Sequence, residues 1–156
     1  MSKLVIKGIV AAVMAVATSA GFTAQDTRTL SVTATIAGAC TLVTSAPMAF
    51  GNLDMSSTTN ETKQVTATYK CATGLTVTSF TVGGVATGTY NGVMTGLGTS
   101  SALPYSIGWT PPTSYAGQGF AVTGKEVILT GTVLNTDYIT RPADSYAHNV
   151  VLAINY

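Results

Sequence analysis

His148 is the one histidine in the chain, so any imidazole acid–base or nucleophilic chemistry would have to run through it. A Ser-His-acid triad would have to use it, and no Gly-x-Ser-x-Gly elbow occurs. The carboxylates Asp26, Asp54, Glu61, Glu126, Asp137 and Asp144 are scattered in or beside turn-like stretches, with no spacing that implies a glycosidase pair. Two cysteines and one histidine are too few for a closed zinc site. "GVMTGLG" lacks the lysine and the strand-to-helix setting that make a glycine-rich loop a phosphate cradle. The carboxylates read as solvated loop charges and His148 as a strand residue. No enzyme activity, cofactor or metal is expected.

Cys40 and Cys71 carry the clearest covalent chemistry. "MSK" and Lys7 supply a basic start, "GIVAAVMAV" an apolar run and "ATSAGFTA" a small-residue exit. Residues 1–24 therefore read as a signal peptide cleaved after Ala20 or Ala24. In an exported chain, an isolated pair of cysteines favours a disulfide. Closing that loop is worth about 3.7 kcal/mol in the chain-entropy model. Without Lys3 and Lys7 the mature chain has one acidic residue in excess of its basic ones. It has no basic patch for nucleic acid or an anionic membrane surface.

The aromatic residues offer a different chemistry. Trp109 and Tyr115 flank the Pro111-Pro112 pair, and Tyr90 and Tyr105 bracket the glycine-rich stretch. Such rings serve as sugar platforms in some small modules, which makes a monomeric secreted sugar-binding β-sandwich the alternative function; more often they pack a core.

The elements that must position these residues are strands. Only 8% of the residues are charged, glycines number 16, and threonine and serine are plentiful. That composition fits an all-β fold solubilised by hydroxyls. "QVTATYKCAT" puts Val65, Ala67, Tyr69 and Cys71 on one face, which sets Cys71 opposite a similarly placed Cys40. Further strands are expected at "LTVTSFTVGG", "LPYSIGW" and "EVILTGTVL", with Asn91-Gly92 as a hairpin dipeptide. The last strand, "SYAHNVVLAINY", aligns Tyr146, His148, Val150, Leu152, Ile154 and Tyr156. Seven or eight such strands with no helical period predict one β-sandwich domain. "TRTLSVTATIAGAC" alternates too, with Leu30, Val32, Ala34 and Ile36 apolar between hydroxylated residues.

The pieces "ATIAGACTL", "MAFGNLD", "VTATYKC", "ALPYSIGW", "LTGTV" and "SYAHNVVLAINY" occur in an order that resembles pilus subunits of the archaic (Csu-type) chaperone–usher pathway, which share the spore coat protein U domain. The resemblance implies an incomplete immunoglobulin-like β-sandwich completed by donor-strand exchange. Residues 25–37 would be the donor strand and residues 38–156 the pilin domain. Leu30, Val32, Ala34 and Ile36 would then fill a neighbour's groove, and Leu152, Ile154 and Tyr156 would edge this subunit's own groove and touch the chaperone. The implied partners are identical or related subunits, a periplasmic chaperone and an outer-membrane usher. The implied destination, reached through the periplasm, is an extracellular pilus serving adhesion and biofilm formation.

Overall fold

A computed structural model describes residues 27–112 and 116–156. The signal-peptide reading of residues 1–24 and the reading of Tyr115 lie outside them. The chain divides into two units, Met1–Thr35 and Ile36–Tyr156. In the first, residues 27–35 form no regular hydrogen-bonded structure, and Leu30 and Val32 are exposed.

The second unit is all-β but for one helical turn. Its elements are β1 (Cys40–Thr44), β2 (Glu61–Cys71), β3 (Ser79–Val82), β4 (Gly88–Gly96), β5 (Ala102–Trp109), β6 (Lys125–Val133), α1 (Asn135–Tyr138), β7 (Tyr146–Ala147) and β8 (Leu152–Asn155). A six-stranded antiparallel sheet runs β1-β2-β6-β5-β4-β7, and β3 pairs with β8 in a second, two-stranded sheet. This curled, two-sheet arrangement is the expected immunoglobulin-like sandwich.

Alternation builds the core. Val65, Ala67, Tyr69 and Cys71 of β2 are buried, as are Leu103, Tyr105, Ile107 and Trp109 of β5 and Val127, Leu129 and Val133 of β6. Phe80 and Val82 of β3 close the cluster from the second sheet, with Leu152 and Ile154 of β8 packed against it. Burying each such side chain contributes about 1.5–3 kcal/mol. On the opposite face, hydroxyls stand where charges would be usual: Thr66 and Thr68 on β2, Thr130 and Thr132 on β6. In β1 and β2, Cys40 pairs directly with Cys71, and the two are joined by a disulfide.

Three local expectations change. Asn91-Gly92 is no turn: it lies inside β4, paired with Ser106 and Tyr105. A side chain at Gly92 would collide with the Tyr105 ring, so this glycine permits close approach, and the chain instead reverses between Leu97 and Ser101. The terminal run is two strands rather than one. Tyr146 and Ala147 pair with β4, the chain leaves the ladder from His148 to Val151, and Leu152 to Asn155 then pair with β3. Its apolar alternation continues through the break, so the pattern alone reads as one strand. The one-turn helix α1 is also new. Its first N–H, on Asn135, donates to Asn60 Oδ1 at 2.9 Å, and the buried Tyr138 hydroxyl donates to the Thr59 carbonyl at 2.9 Å.

Candidate functional site

After β1 the chain leaves the six-stranded sheet. Pro47 cannot donate to a ladder, and residues 47–54 form no strand. Met48 and Phe50 lie over the inner face of β6, where Gly131 leaves room: a Cβ there would strike both the Met48 sulfur and the Phe50 ring. Phe50 meets Tyr105 edge-on with 6.5 Å between centroids.

Opposite this segment runs the stretch from Arg141 to His148. Between the two lies a cavity of about 600 Å³, with Met94, Leu103 and Tyr138 also among its lining. Met48, Phe50 and Leu53 line one side, and Asp144, Tyr146 and His148 the other. The space is an open seam in the sandwich. β8, further along the same run as the second wall, sits at the margin of the two-stranded sheet, with β3 as its one ladder partner among the described residues.

The second wall is fastened by Asp144. Its carboxylate accepts hydrogen bonds from the Gly98 N–H (3.1 and 3.0 Å to its two oxygens), the Thr99 N–H (2.7 Å), the Thr99 hydroxyl (2.7 Å) and the Ser145 N–H (2.7 Å). This cradle ties the wall to the β4–β5 turn. The Thr99 hydroxyl and N–H, with smaller contributions from Ser145 and Gly98, hold the Asp144 carboxyl below the usual carboxylate range. A depressed folded-state pKa stabilises the fold above the ordinary carboxylate range and loses that effect as pH falls through the folded value. Asp144→Asn is therefore expected to lower Tm at neutral pH. The difference from the parent chain should shrink as pH drops below about 4. Thermal unfolding across pH checks it, and a gap that is constant with pH would refute it.

His148 ends the wall. Its Nδ1 lies 2.8 Å from the Tyr105 hydroxyl, and the two rings meet edge-on at 5.9 Å. Burial, then the neighbouring Tyr90, pushes the Tyr105 phenol up to about 12, so it stays protonated and can donate to His148. No serine or carboxylate hydrogen-bonds the imidazole in the way a triad requires, among the contacts of the described residues. Among those residues there is also no group of three or more His, Cys, Asp or Glu side chains that could hold a metal ion.

The residues singled out by sequence fall in different places. Leu30, Val32 and Ile36 are 84%, 83% and 92% exposed, and Ala34 is exposed as well. Leu152 and Ile154 are half-buried on β8, and Tyr156 is exposed beyond it; all three lie past the cavity on the same terminal run. Trp109 is 7% exposed and packs in the core. The Met48–Leu53 wall falls within the "MAFGNLD" piece of the resemblance, but nothing in its residues marks it as a wall of the seam. Its apolar residues follow no steady period, and the local signal is an apolar cluster directly after a ladder-breaking proline.

A family model described as the Spore Coat Protein U domain matches residues 26–151. No curated protein and no solved structure matches the chain.

Proposed function

The chain belongs to the Spore Coat Protein U domain family, a structural family associated with subunits of chaperone–usher pili, and from that premise we propose that it polymerises by donor-strand exchange into an extracellular pilus. The observation that carries this reading is the pairing of an open seam, lined by Met48, Phe50, Leu53, Met94 and Leu103 among polar neighbours, with an alternating apolar segment. The seam lies between the Met48–Leu53 wall and the Arg141–His148 wall. The segment holds Leu30, Val32, Ala34 and Ile36. Each subunit extends residues 25–37 into the seam of its neighbour, and the backbone of the incoming strand pairs with an unfilled sheet margin. Alternate side chains set the register in the pockets between the walls.

Before that exchange, a periplasmic chaperone occupies the seam and contacts Leu152, Ile154 and Tyr156. An outer-membrane usher then passes the subunit to the growing fibre. The residues 1–24 leader delivers the chain to that route, and the finished fibre serves adhesion and biofilm formation at the cell surface. Residues 38–156 form the pilin domain.

The exported chain, run unboiled on an SDS gel, is expected to give a ladder of multimers that collapses to one band on heating. A single monomer band before heating would refute polymerisation and favour a self-contained binding module.

A further inference from the structure

The described residues include three methionines, Met48, Met55 and Met94, and all three line the seam. They reach it from two separate parts of the fold, the segment after β1 and strand β4. Met55 is 55% exposed, and Met48 and Met94 are half-buried. The core cluster of fully buried residues holds no methionine at all. Thioethers suit such a place because they are flexible and fit irregular apolar partners. They are also the apolar side chains most readily attacked by two-electron oxidants.

We infer that the seam is an oxidation-sensitive site whose reagent class is a peroxide. The inference rests on the reading that the seam receives an apolar strand. In the step, a lone pair on the methionine sulfur attacks one oxygen of hydrogen peroxide. The S–O bond forms as the O–O bond breaks, and the other oxygen leaves as water after proton transfer. Sulfur loses two electrons and peroxide gains them, leaving a sulfoxide. The sulfoxide places a strong acceptor dipole where the incoming Leu, Val, Ala and Ile side chains must expel water. These side chains bring no donor to satisfy it. A strand already seated covers the same sulfurs. Sensitivity therefore belongs to the unassembled subunit and protection to the fibre.

The test uses the full-length chain released as monomer by heating and cooled with a labelled peptide of residues 27–38, with or without hydrogen peroxide at the monomer stage. Peptide uptake is read by fluorescence polarisation and sulfoxides by mass spectrometry. Oxidation at Met48, Met55 and Met94 is expected, with peptide affinity falling about tenfold or more. Methionine sulfoxide reductase should restore it, and a Met48→Leu, Met55→Leu, Met94→Leu variant should be indifferent to peroxide. Intact fibre given the same dose should keep its thioethers. The inference is overturned by full uptake in the oxidised protein, by equal loss in the triple variant, or by thioethers that resist peroxide in the monomer. Reductase rescue of the parent chain decides the matter where the triple variant misfolds. Failure of the untreated monomer to take up peptide is a separate result: it removes the strand-docking reading and this inference with it.

Discussion

Deleting Thr27 to Ile36 is expected to abolish the SDS-resistant ladder while leaving residues 38–156 folded and able to bind a chaperone. The segment contributes no strand to either sheet of its own chain among the described residues, and no member of the core. Removing it thus costs the sandwich no ladder and no buried side chain of its own. The loss falls on the junction. Burying Leu30, Val32, Ala34 and Ile36 in a neighbour is worth on the order of 5–10 kcal/mol before the cost of ordering the strand. Against that sum, truncation should lower the multimer fraction by several orders of magnitude rather than trim it. A milder version is Val32→Asp, which sets a charge in the middle of the apolar face. It should shorten or erase the ladder with no change in thermal unfolding of the monomer. Gel ladders and circular dichroism of the same preparations make the check. A truncated chain that still forms heat-sensitive multimers would show that some other segment does the joining.

The second large effect belongs to the disulfide. Replacing both Cys40 and Cys71 by Ala is expected to destabilise the domain by about 3.7 kcal/mol in the chain-entropy account, within the 2–5 kcal/mol typical of small secreted domains. For a domain of this size that corresponds to a fall in Tm of about 15 °C. β1 carries the damage. It is a five-residue strand with β2 as its one partner in the six-stranded sheet, and none of its residues is fully buried. The bridge pins its first residue directly to the last residue of β2. Without it the strand frays from Cys40 onward. The proposed donor segment, just ahead of Cys40, then loses its mooring. Differential scanning calorimetry of the double variant, and of the parent with and without reductant, reads the effect. Equal Tm values within two or three degrees would sink the estimate.

β2, β5 and β6 were legible because each shows one face to the core and one to water, so a period of two is imposed on the residues themselves. The same parity put Cys40 and Cys71 on inward faces, and the pairing of β1 with β2 sets them opposite each other. Where tertiary contact decides the outcome, local pattern did not suffice. Asn91-Gly92 has turn composition, but the ring of Tyr105 gives Gly92 its purpose. The terminal run keeps its alternation across His148–Val151 although its partner changes from β4 to β3. Of the candidate site, the apolar face of residues 30–36 was readable. The Met48–Leu53 stretch showed only as the "MAFGNLD" piece of the resemblance and not as a wall, because a crossing segment without hydrogen-bonded regularity imposes no period on its side chains.

The divided terminal run also governs when the molecule can mature. Phe80 finds its ladder partner only in Ile154, and Thr95 only pairs with Ala147 once most of the chain has been made. Contacts this distant in sequence form late and slowly. Until then Phe80 and Val82 have no second sheet to belong to, and one wall of the seam does not exist. A partly folded chain would spend that interval with unpaired β edges. Pairing of β8 with β3 is therefore expected to be a late step in folding, and the seam is complete only after it.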